Sequence, residues 1–376
     1  MQPLYFDYNA TTPVHETVIQ SMLPCFREKF GNPGCAHTHG LQARRIMEQS
    51  RIDLARLINA EPHQIYFTSC ATESNNLVLS GLLCPGDELI ISAVEHPSII
   101  MPARELVKKG IKLKIAPVDH NGLIDPDQVL DMVSSRTKLI SIMLSNNETG
   151  AIQPLAHLGR ELKSRNILFH TDAAQAAGKI PVDIKKLGTE FLTIAGHKMY
   201  APKGISALYI GDHQNVSPIL FGGGQEKAVR PGTENIPYIA GLGQASIMAL
   251  SDLDSEMARQ EKLGNKFIQG LSMIHQDFIL HAENAPRLPA TMSIGFGGYR
   301  AGDILSGMVA CSLSASAGAA CHGEVQKMSS VLKAMNTDPF YGLGTIRFSW
   351  GRMTSEQDMD ELLNRLEYIF KSFLKF

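Results

Sequence analysis

The 376-residue sequence has no long hydrophobic run, and this argues against a membrane-spanning helix. No apolar segment approaches the roughly 20 residues that a helix needs to span a bilayer. The first residues, MQPLYFDYNATTP, contain no basic segment followed by an apolar one, as a secretory signal would. We therefore expect a protein without a membrane partner, located in the cytoplasm.

An excess of charge of one sign is also missing. The chain has 35 Lys and Arg against 37 Asp and Glu, a net charge of −2, so we expect no direct binding of nucleic acid. The six cysteines are scattered and no two form a CxxC pair, which argues against a disulfide framework or a structural metal site. With 44% hydrophobic residues, the chain can bury a large core, and its length exceeds one typical domain.

Short apolar runs alternate with helical patterns over most of the chain. Helical spacing is found, for example, in residues 15–30 and 40–58. The runs that predict buried strands are QIYFTS (64–69), ELIISAV (88–94), KLISIMLS (138–145), ILFHTDA (167–173), FLTIAG (191–196) and ISALYIG (205–211). This alternation predicts an α/β domain with a mostly parallel sheet covered on both faces. We assign this large domain to residues 14–250.

The pattern changes after residue 250. A long helix is predicted over 251–271, strands over 287–296 and 345–350, and a final helix over 355–374. We interpret residues 251–376, together with an N-terminal arm of residues 1–13, as a smaller α+β domain.

Polar residues follow the predicted strands of the large domain. They are the TSCATESNN segment with Thr72, the pair Glu95 and His96, the pair Asn146 and Asn147, Asp172 with Gln175, and His197 with Lys198. Ligands of parallel α/β sheets bind beyond the carboxyl ends of the strands. An anion site at a helix start, a carboxylate and a lysine together suit pyridoxal 5′-phosphate. Taken singly, Thr72 and Asp172 could be helix caps and His96 a core histidine, so the whole set carries the argument.

Twelve short motifs, in this order and spacing, match one known family. They are YNATTP (8–13), GNPGCAHTHG (31–40), ATESNN (71–76), EH (95–96), NNETG (146–150), HTDAAQ (170–175), GHKMYAPKG (196–204), GGGQE (222–226), RPGTEN (230–235), LPAT (288–291), GAACH (318–322) and RFSWGR (347–352). Through them the chain resembles the cysteine desulfurase and selenocysteine lyase branch of the fold-type I pyridoxal-phosphate enzymes. The resemblance implies a homodimer with a seven-stranded, mostly parallel sheet and a smaller C-terminal domain.

The resemblance also implies a role for each site residue. Lys198 would form the Schiff base, and His96 would stack on the cofactor ring and shuttle protons. The other cofactor-binding residues would be Ala71, Thr72, Asn147, Asp172, Gln175, His197 and, from the second subunit, Thr233. Asn147 and Arg352 would hold the substrate carboxylate. Ala195 stands where many cysteine desulfurases have a phosphate-binding serine.

The function that the resemblance implies is removal of sulfur from L-cysteine. Cys321 would attack the substrate sulfur, retain it as a persulfide and deliver it to an acceptor protein of iron–sulfur cluster assembly or nucleic-acid thio-modification. The motif GAACH resembles that of the selenocysteine lyases more than that of the cysteine desulfurases. Pro97, which follows His96, differs from the acidic residue of the animal lyases. L-Selenocysteine therefore stays an alternative substrate.

Three other interpretations were weighed against the motifs. A non-catalytic partner protein on the same fold would not need Lys198, Asp172 and Cys321 together. An ordinary aminotransferase would leave Cys321 without a role. A metal site at Cys35 and the neighbouring histidines is not expected, because GNPGCAHTHG matches a segment of the family.

Overall fold

The structure is a computed structural model that describes residues 2–212, 214–318 and 327–373. Its strands are β1 (Leu4–Tyr5), β2 (Ile65–Thr68), β3 (Glu88–Ser92), β4 (Lys112–Ala116), β5 (Thr137–Ser141), β6 (Leu168–Asp172), β7 (Phe191–Ala195), β8 (Ser206–Ile210), β9 (Phe278–Leu280), β10 (Thr291–Phe296), β11 (Leu313–Ser314) and β12 (Thr345–Ser349). Its α-helices are α1 (Glu16–Arg27), α2 (Thr38–Leu57), α3 (Ala71–Leu82), α4 (Pro97–Lys108), α5 (Pro126–Asp131), α6 (Leu155–Ser164), α7 (Ile184–Leu187), α8 (Ile236–Ser251), α9 (Leu253–Ile274), α10 (Ala301–Ala310), α11 (Ser330–Ala334), α12 (Pro339–Gly342) and α13 (Glu356–Tyr368).

A seven-stranded sheet organises the first two thirds of the chain. Its strand order is β2-β8-β7-β6-β5-β3-β4. Six of the strands run in the same direction, and β8 runs in the opposite direction. Every residue of β3, β7 and β8 is buried, which explains why these strands are continuous apolar runs. The prediction of a mostly parallel seven-stranded α/β sheet is confirmed.

One strand of this sheet was not among the predicted runs. β4 lies at the edge of the sheet, paired only with β3. In its sequence KLKIA, lysines alternate with apolar residues, and only Ala116 is fully buried. An edge strand that is half exposed lacks the apolar run by which buried strands are recognised.

A second, three-stranded antiparallel sheet has the order β12-β10-β9. Its core contains Phe267 of α9, whose ring lies 4.9 Å from that of Phe348 and 6.3 Å from that of Trp350. The predicted helix over 251–271 corresponds to α9, and Asp252 alone separates α9 from α8. The boundaries proposed for the two domains stay a prediction.

The N-terminal segment pairs with strands from the C-terminal part of the chain, in a separate two-stranded sheet beside the second one. β1 pairs in parallel with β11, and Asp7 forms a parallel bridge with Ser349 at the end of β12. Residues 4–9 therefore lie beside strands that come more than 300 positions later in the sequence. Within the described ranges, none of the helices combines the length and the apolar character that a membrane crossing requires.

Candidate active site

A cavity of about 400 Å³ lies at the carboxyl ends of the parallel strands. Eight of the predicted site residues line it: Ala71, Thr72, His96, Asn147, Asp172, Gln175, His197 and Lys198. This is the position at which parallel α/β sheets bind their ligands. The structure therefore brings together the eight side chains that were predicted to lie near the strand ends.

Lys198 ends a short 3₁₀ turn, Gly196–Lys198, directly after β7. Its Nζ donates a hydrogen bond of 2.9 Å to the carbonyl oxygen of Ala10, and another to the carbonyl oxygen of Asn9. The side chain is half-buried and reaches across to the N-terminal segment. Its amine thus lies at the junction between the two walls of the cavity.

Asp172, the last residue of β6, is held in one orientation by two donors. Its Oδ2 accepts from Asn75 Nδ2 at 2.8 Å, and its Oδ1 accepts from the backbone N–H of Ala174 at 2.9 Å. The residue is only 6% exposed. A buried carboxylate fixed in this way can bind a protonated ring nitrogen, because each oxygen retains a free lone pair.

His96 caps the start of α4, and this contact determines which of its ring nitrogens carries the proton. Nδ1 accepts from the backbone N–H of Ser98 at 3.1 Å, so in the neutral ring the proton is on Nε2. Burial lowers the pKa of His96; the charge of Asp172 opposes this effect and that of Lys198 adds to it. The ring is therefore neutral at pH 7 and keeps Nε2 for a ligand.

The start of α3 and His197 lie together in one part of the cavity, where an anion could bind. The first N–H groups of any helix have no partner within the helix, and Ala71 and Thr72 open α3 here. Burial lowers the pKa of His197 to about 4, with added effects of neighbouring lysines, so its ring is neutral. Ala195 also lines the cavity and contributes a methyl group to it.

The opposite wall consists of residues to which the sequence analysis assigned no role. They are Asp7, Asn9, Ala10, Ser316, Gly318 and Arg347. Arg347 lies within β12 and its side chain is 5% exposed. Its Nη2 contacts Asp7 Oδ1 at 2.6 Å, and its Nη1 donates to the carbonyl oxygen of Asn147 at 2.9 Å. This buried guanidinium is the cation of the opposite wall.

Arg352, the arginine predicted to bind the substrate carboxylate, does not line this cavity. Both of its terminal nitrogens contact the carboxylate of Asp252, at 2.5 and 2.7 Å, and its guanidinium lies 5.8 Å from the centre of the Tyr200 ring. It comes three residues after the end of β12, where the chain meets the junction of α8 and α9. Of the two arginines in RFSWGR, the one inside the strand faces the cavity.

Two further predicted residues are not among those that line the cavity. Thr233 is exposed in a turn, so a single chain does not bring it to the site. Cys321 lies outside the described residues. Gly318, the last residue described before it, lines the cavity.

Two buried polar atoms of the cavity wall have no partner in the described residues, and they test whether a polar cofactor fits. These atoms are the hydroxyl of Ser145 and Nε of Arg347. Unsatisfied buried groups are rare unless a ligand or water completes them. Together with the lysine, the oriented carboxylate, the neutral histidines and the helix start, they fit pyridoxal 5′-phosphate bearing an amino acid.

The comparisons with known proteins agree with this geometry. The family model for aminotransferase class-V matches residues 4–362, and the chain belongs to that family. A cysteine desulfurase IscS of Dictyoglomus turgidum is 38% identical over 372 residues, which cover 98% of this chain and 94% of that protein. The solved structure of a NifS-like protein superimposes with a TM-score of 0.91 at 33% identity, covering 98% of this chain and 99% of the other. The structure of SspA in complex with cysteine has a TM-score of 0.83 at 32% identity, covering 93% and 99%.

Proposed function

We propose that this protein is a pyridoxal-phosphate-dependent cysteine desulfurase, which converts L-cysteine to L-alanine and passes the sulfur to an acceptor protein. The observation that carries the proposal is the meeting of Lys198, Asp172 and His96 in one cavity, opposite the buried Arg347. The first three suit the cofactor, and the arginine suits the carboxylate of an amino acid. The similarity to cysteine desulfurases and to a protein solved with cysteine supports the choice of substrate.

The residues of the large sheet would hold the cofactor. Lys198 would bind it covalently, Asp172 would pair with its ring nitrogen, and Gln175 would donate to its ring oxygen. The start of α3 and His197 would bind the phosphate, where neutral donors avoid the desolvation of a further charge. When bound, the cofactor supplies an electron sink for the charge left after a proton leaves the substrate.

We assign the substrate carboxylate to Arg347 and Asn147 rather than to Arg352. Arg347 is buried, lines the cavity and has an Nε without a partner in the described residues. The planar guanidinium can offer this N–H together with one on Nη to the two oxygens of a carboxylate. The contact from Asp7 to Nη2 keeps the group in place while leaving Nε for the ligand.

Two nitrogen groups of the cavity would act on the reacting amino acid. The amine of Lys198, once released by the incoming amino acid, would take the proton from its α-carbon. His96 is neutral with a proton on Nε2, so it can donate a hydrogen bond from that atom to the bound group. The sulfur would be transferred to Cys321, where a new S–S bond forms as the C–S bond of the substrate breaks.

This assignment is tested with the purified protein and added pyridoxal 5′-phosphate. Borohydride reduction followed by peptide mass mapping should attach the cofactor to Lys198. Incubation with L-cysteine should then yield alanine and a persulfide on Cys321. Attachment to a different lysine would contradict the site, and alanine formed from L-selenocysteine alone would favour a selenocysteine lyase.

The proposed enzyme is a homodimer in which Thr233 reaches the cofactor phosphate of the partner subunit. Its exposure on the single chain and its absence from the lining of that chain's own cavity support this role. Lys198→Ala and Thr233→Asp chains should each be inactive as homodimers. Mixing them should restore activity, because one site of the mixed dimer then has both residues intact. Subunit exchange without recovered activity would exclude the role of Thr233.

A further inference from the structure

Lys179 is a second lysine beside the cavity, and neither the strand-end reasoning nor the motifs drew attention to it. Its Nζ donates to Gln175 Oε1 at 2.7 Å and to Asn9 Oδ1 at 3.1 Å. Burial, reinforced by the charges of Lys198 and Arg347, holds the pKa of Lys179 well below its usual value. Burying an amine costs free energy unless hydrogen bonds compensate for it, and here Gln175 and Asn9 supply those bonds.

The hydrogen bonds to Asn9 and Lys179 fix the orientation of the Gln175 amide. The carbonyl oxygen of Asn9 can only accept, so the Gln175 atom that lies 2.9 Å from it must be the amide nitrogen Nε2. Oε1 of Gln175 then faces Lys179 and accepts from its Nζ. The two contacts together hold the amide in one orientation. Since Gln175 lines the cavity, its second N–H is the group left for a ligand.

The same lysine orients Asn9. With Oδ1 directed to Lys179, the Nδ2 atom of Asn9 donates to Thr291 Oγ1 at 2.9 Å and to the carbonyl oxygen of Asn147 at 3.2 Å. The carbonyl oxygen of Asn9 accepts from both Gln175 and Lys198. The Lys179 amine therefore orients both Gln175 and Asn9, and the carbonyl oxygen of Asn9 in turn accepts from Lys198.

We propose that Lys179 is a positioning residue that locks Gln175 with its N–H directed into the cavity, where it donates to an anionic oxygen of the bound cofactor. The identity of that cofactor rests on the proposed function. Because Lys179 also polarises the amide through Oε1, the N–H of Gln175 becomes a stronger donor than an isolated amide. Without Lys179, the amide can turn over and present its oxygen to the anion, which is repulsive.

The test measures the affinity of the apoprotein for pyridoxal 5′-phosphate by visible absorbance, in four variants. Lys179→Met should raise the dissociation constant about tenfold, the usual effect of losing one hydrogen bond to a charged group. Lys179→Arg, which keeps the donor, should stay closer to wild type. Gln175→Ala should weaken binding by a similar factor. Adding Lys179→Met to Gln175→Ala should change the constant by less than about twofold, because the first change acts only through the second.

Two controls separate this role from a structural one. Lys186→Met removes an exposed lysine seven residues away and should leave binding unchanged. Visible circular dichroism of the bound cofactor should change in Lys179→Met but not in this control, since the ring loses a fixed contact. If Lys179→Met does not fold, Lys179→Gln replaces it, because an amide at this position can pair in either orientation.

The inference is overturned if Lys179→Met weakens cofactor binding equally in the wild-type and Gln175→Ala backgrounds, or has no effect in either. Failure of the proposed function has a different signature. In that case the wild-type protein itself would not retain pyridoxal 5′-phosphate on Lys198 after borohydride reduction.

Discussion

The two walls of the cavity are held in place by different kinds of contact. On the wall formed by the large sheet, His96 is fixed by Ser98 and Asp172 is fixed in part by Ala174, each only two residues further along the chain. On the opposite wall, Arg347 is paired with Asp7, 340 positions away in the sequence. The first wall takes shape when its own strands and helices form. The second exists only after the N-terminal segment has docked on the small sheet.

The largest effect is expected from Lys198, which follows β7 of the large sheet and lies at the junction of the two walls. Lys198→Ala should lower the rate of alanine formation by a factor on the order of 10³ or more, because the covalent link and the base are both lost. The midpoint of thermal unfolding of the apoprotein should change little, since the substitution removes one half-buried side chain and leaves the pairing of β6 with β7 intact. If Lys198→Ala unfolds at a much lower temperature than the wild type, Lys198 contributes to stability as well as to activity.

On the opposite wall, activity and stability should fall together. Arg347→Ala should raise KM for L-cysteine about 100-fold and lower the free energy of unfolding by about 3 kcal/mol, because Asp7 is left without its partner. Steady-state kinetics and chemical denaturation measure the two effects.

The matched control is Arg352→Ala, in the same RFSWGR segment. Its partner Asp252 is 41% exposed, so we expect less than a threefold change in KM and about 1 kcal/mol in stability. A larger rise in KM for Arg352→Ala than for Arg347→Ala would return the substrate carboxylate to Arg352.

The wall of the large sheet should also carry a pH dependence of stability. Glu95 accepts from Ser92 Oγ at 2.5 Å and from the Met143 N–H at 2.9 Å, and burial raises its pKa to about 8. A raised pKa in the folded state means that this group's contribution to stability is complete below about pH 4.5. It is lost progressively as the pH rises to about 8.

Glu95→Gln removes this titration. The difference in the free energy of unfolding between the variant and the wild type should therefore shift in favour of the variant between pH 5 and pH 8, by about 3–4 kcal/mol. Urea denaturation of both proteins at several pH values measures it. A difference that stays constant with pH would mean that Glu95 does not titrate in this range.

The smallest effect is expected from restoring a hydroxyl to the anion-binding part of the cavity. Ala195→Ser should tighten binding of pyridoxal 5′-phosphate about fivefold, the usual gain from one hydrogen bond. Ala195→Val, which adds bulk without a donor, is the control and should weaken binding. If the serine variant binds no better than wild type, the phosphate is already saturated with donors.

The contrast between local and distant contacts also explains what the sequence could predict. His96, Asp172 and Lys198 were found because each follows a recognisable apolar run, and the strand ends of one parallel sheet meet by geometry alone. Arg347, Asn9 and Asp7 depend on how separate parts of the chain dock, which no periodicity encodes.

Two features of the large domain, β4 and Lys179, were missed by the sequence analysis, and each has its own physical cause. β4 was not predicted because Lys112 and Lys114 interrupt its apolar pattern; both reach the buried Glu88, at 3.2 and 2.7 Å. Lys179 lies in a turn and has no pattern of its own. Its importance depends on the orientation of two amides, and only the folded structure supplies that orientation.

The docking of residues 4–9 beside β12 has a consequence for synthesis of the protein. Asp7 is synthesised before its partner Arg347, which is added 340 residues later. At about 5–20 residues per second, the interval is roughly 15–70 s. During this time the growing chain can fold its large sheet but cannot close the second wall of the cavity. The nascent polypeptide therefore carries an incomplete cavity, which is completed only after β12 has been synthesised.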